Sequence, residues 1–64
     1  MNIIDLLNRM NLTRNGSEGR RAVVVGNVKF KGVQVSLDLQ LDPRPGDVVE
    51  FGGGKHTVTE KDLS

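Results

Sequence analysis

The sequence predicts an α+β domain from three observations. A helical period is confined to the residues before Asn27, a period of two takes over beyond Gly26, and turn residues cut the second half into short pieces. Helical segments followed by short strands give helices packed on a small, mostly antiparallel sheet of three to five short strands. With 64 residues there is room for one domain, residues 1–64, with a core spanning about 3–58. A chain of this length buries only about 60% of the surface it exposes when unfolded, so the core is thin. There is no Trp, Tyr or Cys and only two Phe, so that core must be aliphatic and unsupported by disulfides.

The first element is a helix. Ile3, Leu6, Leu7 and Met10 fall at i, i+3, i+4 and i+7. Asn2 is placed to cap it, with Asp5 at the third helical position as an imperfect capping box. Asn11 tolerates the left-handed conformation that ends a helix, and Leu12 can fold back on the last turn.

The next segment, Thr13–Asn27, has two readings. Asn15 with Glu18 three residues on matches a capping box, and Gly19, Ala22, Val23 and Gly26 share one helical stripe. Against this, Val23-Val24-Val25 is a β-branched run, and Gly26-Asn27 suits a two-residue hairpin turn. Propensity leans slightly towards a strand at Ala22–Val25 and leaves the choice open.

Beyond it the strand period is plain. Val28 and Phe30 alternate with Lys29 and Lys31, and Lys31-Gly32 interrupts the run. Val33, Val35, Leu37, Leu39 and Leu41 alternate with polar residues as a half-buried strand would. Asp42–Asp47, with two prolines, is a turn. Val48–Phe51 reads as a short strand, Gly52-Gly53-Gly54 as a turn and Lys55–Val58 as a final strand. Residues 59–64 are polar and are expected to fray.

Net charge is only +1, but it is unevenly spread. Residues 9–31 carry six cations (Arg9, Arg14, Arg20, Arg21, Lys29, Lys31) against Glu18, a net of +5. Residues 32–64 carry three cations against six acids, a net of −3. Such asymmetry is expected of a chain with one face that meets a polyanion, and equally of an ordinary solvated surface with uneven charge.

Catalysis finds little support. His56 is the only histidine and no cysteine can partner it, so neither a catalytic site nor a metal site is expected, and no cofactor. Gly52-Gly53-Gly54-Lys55 is not a phosphate loop, because the Walker pattern needs Gly at Val49 and Ser or Thr at His56. The start lacks the basic and long apolar regions of a signal peptide, and no run of about 18 apolar residues exists for a membrane helix. A cytoplasmic setting without a membrane partner is the expectation.

The order of residues resembles the ribosomal small-subunit protein four (S-four) RNA-binding domain. Ser17-Glu18-Gly19-Arg20-Arg21-Ala22-Val23, Gly26-Asn27-Val28-Lys29-Phe30-Lys31-Gly32 and Val35 follow that family's motif from Asn15 to Val35 without a gap. Asn15 and Ser17 stand at its two serines, Gly19 at its Ala, and Lys31 at its turn Asn. Leu41 and Pro45-Gly46-Asp47-Val48-Val49 are similar to its close. Gly54-Lys55-His56-Thr57-Val58 is similar to the ending of the version appended to bacterial tyrosyl-tRNA synthetases. Val24 and Val25 depart from the family, which often has polar or basic residues there, and Ser36–Pro45 is more acidic and strand-like than usual.

The resemblance implies that Asn15–Val25 is the second helix of a two-helix unit lying on nucleic acid. It implies two N-terminal helices on the sheet, and binding of structured ribosomal or transfer RNA by shape, without turnover. Arg20 and Arg21 would project from the second turn of that helix, Arg14 would precede it, and the first-turn amides of Gly16–Glu18 would face an anion. Lys29 and Lys31 on the hairpin, Arg9 on the first helix and Lys55 complete the expected surface. Asn15 and Ser17 lie on the same edge and are read first as helix-start caps and only second as RNA contacts. The alternative is a protein-interaction or assembly module that keeps the fold without RNA binding, such as a small accessory protein of a virus or mobile element. Exposure of Val24 and Val25 would favour it. A monomer is expected rather than a homo-oligomer.

Overall fold

The computed structural model describes residues 1–64 and orders them as α1 (Ile3–Arg9), α2 (Gly16–Val24), β1 (Val28–Phe30), β2 (Val33–Gln34), β3 (Val48–Phe51), β4 (Gly54–Thr57) and α3 (Glu60–Leu63). The strands form one antiparallel sheet in the order β2-β1-β3-β4, and the N-terminal helices pack on it, as the sequence predicts.

Both N-terminal helices are fixed by their ends. Asn2 Oδ1 accepts from the Asp5 N–H (2.9 Å), and Asn15 Oδ1 accepts from the Glu18 N–H (2.9 Å), each satisfying one of the amides that a helix start leaves free. At the other end of α1, Asn11 adopts φ 59°; its N–H donates to Asn8 O (3.1 Å) and that of Leu12 to Leu7 O (3.0 Å). This is a Schellman cap.

The same device ends α2 and decides the ambiguity of Thr13–Asn27. Gly26, at φ 81°, donates to Val23 O (3.0 Å), and Asn27 donates to Ala22 O (2.9 Å). Gly26 therefore closes a helix and is not part of a hairpin turn. A side chain there is strained by the positive φ, whereas the approach of its Cβ to Gln34 Nε2 (2.9 Å) is relieved by a shift of that exposed side chain. Helix beats the β-branched run because a helix hides Gly19 and Val23 against α1 and needs no shelter for Val24 and Val25.

At the crossing of α1 and α2, a Cβ on Gly19 would meet Ile4 and Leu7 carbons at 3.6–3.7 Å, ordinary contact. Gly19→Ala should accordingly stabilise the domain by about 0.5–1 kcal/mol, the helix-propensity difference, read as a higher urea midpoint. The corner between the helices is tied by Thr13, buried, whose Oγ1 donates to Asn8 Oδ1 (2.6 Å).

The core is aliphatic, as expected: Ile3, Leu6, Leu7, Val23, Val28, Leu41, Val49 and Val58 are buried, and Phe30 and Phe51 pack half-buried against it. Val28, Phe30, Val49 and Phe51 share the sheet face towards the helices, because Val28 pairs with Phe51 and Phe30 with Val49. Two-residue turns with positive φ at both positions join the hairpins: Lys31-Gly32 (55°, 80°) and Gly52-Gly53 (57°, 87°). Lys31 is the one side chain forced into this geometry in either turn. Lys31→Asn should raise stability by about 0.5–1 kcal/mol, a thermal midpoint several degrees higher, because Asn tolerates the left-handed region better.

Three expectations are corrected. The alternation from Val33 to Leu41 does not make a long strand: pairing ends at Gln34, and residues 35–47 are irregular. β1 offers only Lys29 and Phe30 as partners, since the chain before Val28 is already the end of α2. The apolar residues are instead used singly. Leu41 is buried, its N–H donating to Met1 O (2.7 Å) and its carbonyl accepting from the Met1 ammonium (3.3 Å), while Val33 is 66% and Leu39 46% exposed.

Residues 59–64, expected to fray, form α3, making three helices. Thr59 and Asp62 make a reciprocal capping box, and Leu63 packs half-buried against the core. Final strand β4 starts one residue earlier than expected and ends at Thr57.

Candidate nucleic-acid interface

The basic residues are set by three elements and the turns between them. Gly19 and Val23 lie on the buried face of α2, which turns Ser17, Arg20, Arg21 and Val24, with the C-cap Val25, outwards. Arg20 lies one turn before Val24, and Arg21 one turn before Val25, so each arginine shares a stretch of surface with an exposed valine, 71% and 61% accessible respectively. The departure from polar residues at 24 and 25 thus makes a mixed cationic and apolar helix face.

Arg9 is exposed in the last turn of α1, and Arg14 is exposed in the connection before the Asn15 cap. Asn15 is engaged as a cap, and Ser17 is exposed one residue inside the helix. The Asn15 bond takes up the Glu18 N–H, so of the three first-turn amides expected to face an anion only those of Gly16 and Ser17 remain free.

Lys29 lies on the sheet face away from the helices, as its alternation with Val28 and Phe30 requires. It belongs to a row that crosses all four strands: Gln34, Lys29, Glu50 and Lys55 in register. Lys31 sits at the tip of the β1–β2 hairpin, its N–H donating to Val48 O (2.9 Å). Lys55 is exposed on edge strand β4, on the far side of Glu50 from Lys29.

None of these seven cations is ion-paired. The chain has a single salt bridge, Arg44 to Asp42 at 3.0 Å, in the turn before β3. A solvated charge with no carboxylate within 4.0 Å keeps its donors available to an incoming anion.

The residue that links helix and sheet is Asn27, which the sequence marks only as a turn. Its carbonyl accepts from the Gly52 N–H (3.1 Å), joining the end of α2 to the β3–β4 turn. Two shallow recesses meet at it. One is bordered by Glu18, Arg21, Ala22, Val25, Asn27 and Phe51, the other by Gly26, Asn27, Lys29, Glu50 and Gly53. The structure thus brings Arg21 and Lys29 to either side of Asn27, whereas Lys31 and Lys55 sit on other parts of the sheet. A sequence signal for Asn27 did exist: the position after a Schellman glycine often holds an apolar residue that folds back on the helix, and here it is polar.

No group of three or more His, Cys, Asp or Glu side chains is arranged to hold a metal ion, and no helix is long and apolar enough to cross a membrane. No family model matches the chain, and no curated protein or solved structure matches it either.

Proposed function

We propose that this chain is a non-catalytic module that binds structured RNA, ribosomal or transfer, in the cytoplasm through the outward face of α2 and the adjoining hairpin. The observation that carries this reading is the pair Arg20 and Arg21, side by side on an exposed capped helix with no carboxylate partner. Guanidinium forks fit phosphate oxygens in two-pronged geometry, and neutralising phosphates with release of counterions supplies most of the affinity for RNA. The order of elements, two helices and then a hairpin bearing Lys29 and Lys31, supports the S-four resemblance of Asn15–Val35. Shape and backbone contacts dominate over base stacking, since no Trp or Tyr is available and both Phe residues pack against the core.

Fluorescence anisotropy with a folded transfer RNA at several salt concentrations tests the reading. The logarithm of affinity should fall against the logarithm of salt by about 0.7–0.9 for each phosphate contacted. A flat profile, or no binding at low salt, refutes it.

Exposure of Val24 and Val25 favours a second reading, an assembly module whose α2 face docks a protein. Size-exclusion chromatography separates the two. A stable complex with protein that shields Arg20 and Arg21 supports the second, and a monomer that carries nucleic acid supports the first.

A further inference from the structure

We propose that the recess between the end of α2 and the outer face of the sheet receives the Watson–Crick edge of an unpaired guanine. This inference rests on the RNA-binding reading and adds a base-specific contact to it.

The recess is built from backbone at two turns, Gly26 and Gly53, and from the side chains of Asn27, Lys29 and Glu50. Lys29 and Glu50 are directly opposite each other in the β1–β3 register, on the same face of the sheet. Glu50 has a second lysine, Lys55, opposite it on β4, yet neither lysine is within 4.0 Å of its carboxylate. The side chains of Asn27, Lys29 and Glu50 make no hydrogen bond within the chain, although Glu50 is half-buried. A Lys–Glu neighbour pair whose polar ends are both unspent is a donor beside a double acceptor.

That order has one good complement among the bases. Guanine presents, side by side, an acceptor (O6) and two donors (N1–H and N2–H). Lys29 Nζ would donate to O6, and the two oxygens of Glu50 would accept from N1–H and N2–H. Uracil offers a single N–H, with O2 then turned against the carboxylate. Adenine and cytosine turn a ring acceptor towards it, leaving the charge unpaired, which is the larger penalty.

The recess also has a path for the rest of the nucleotide. Asn27 borders the second recess as well, where Arg21 stands beside Ala22, Val25 and Phe51. A nucleotide whose base enters on the Lys29 side thus has Arg21 across Asn27 for its phosphate. Unpaired loop and bulge nucleotides are the parts of folded RNA whose base edges a protein can reach.

The experiment uses four RNA hairpins that differ only in one bulged nucleotide, G, A, U or C, with affinity measured at one fixed salt concentration. The guanine bulge should bind about tenfold or more tightly than the others, the discrimination typical of a two-pronged base contact. Glu50→Gln should remove the preference and leave the salt dependence intact. Equal affinity for all four hairpins overturns the proposal while leaving the RNA-binding reading in place. A titration of the isotope-labelled protein with guanosine monophosphate and uridine monophosphate separates the converse. Shifts of the Gly26, Asn27 and Gly53 amides with the guanine nucleotide alone, in a protein that binds no folded RNA, keep the recess and discard the RNA reading.

Discussion

Replacing Arg20 and Arg21 together by glutamate is expected to weaken binding to folded RNA by at least about 100-fold. Each charge-assisted hydrogen bond to a phosphate contributes about 1.5–3 kcal/mol, and two lost together amount to roughly two to four decades of affinity. Reversal of charge adds repulsion to the loss. The fold should survive the change. Both side chains are exposed and outside any ion pair, and glutamate is a good helix former. A negative charge in the last turn of α2 opposes the helix dipole by only about 0.3–1 kcal/mol. Anisotropy and a thermal melt on the same sample check both halves of this expectation. Undiminished affinity in a folded double variant sinks the assignment of α2 as the RNA-facing helix. Arg20→Gln with Arg21→Gln should fall between, because the charge is removed without being inverted.

Leu6→Ala is expected to have the largest effect on stability. Leu6 is wholly buried in the aliphatic core, and truncating such a leucine costs about 2–5 kcal/mol. A domain of this length has only about 3–10 kcal/mol to lose, so a large share of the variant should be unfolded at 37 °C. Its urea midpoint should collapse, and its thermal midpoint should fall by more than about 10 °C. Val24→Ala removes a similar aliphatic group from the same helical pair but should change stability by less than about 0.5 kcal/mol, because Val24 is 71% exposed. Comparable losses for the two variants would mean that Val24 is covered in solution, which is the outcome the protein-docking reading predicts.

What could be read from the sequence depended on how many residues carried each signal. Helix α1 was legible because its apolar stripe, its cap at Asn2 and its stop at Asn11 agree. The two hairpins were legible from Lys31-Gly32 and Gly52-Gly53, where turn chemistry and strand alternation agree. Helix α2 was not decided by its residues. Val23-Val24-Val25 pulls towards strand, and what wins is tertiary: Gly19 and Val23 pack on α1, and Gly26 closes the helix from behind.

The long strand read over Val33–Leu41 shows the opposite failure. Alternation is a local property, but a strand needs a partner, and β1 is too short to supply one past Gln34. The tail helix and the pairing of Lys29 with Glu50 were not legible for related reasons. Thr59 and Asp62 cap a helix of only four residues, below the length at which periodicity speaks. Lys29 and Glu50 are 21 positions apart, and only the β1–β3 register makes them neighbours.

The order of strands also sets the sequence of events by which the chain acquires its structure. β1 meets β2, and β3 meets β4, across turns of two residues, so either hairpin can close within roughly 1–10 μs. The helical pair is equally local. β1 and β3, at the middle of the sheet, are joined only after the segment 31–47 has been brought round, and it contributes no regular pairing beyond Gln34 to offset the lost chain entropy. The pairs Val28–Phe51 and Phe30–Val49 are the sheet's most distant in sequence, so their closure is expected to limit the folding rate. Until it occurs, the wall of the recess formed by Lys29 and Glu50 does not exist.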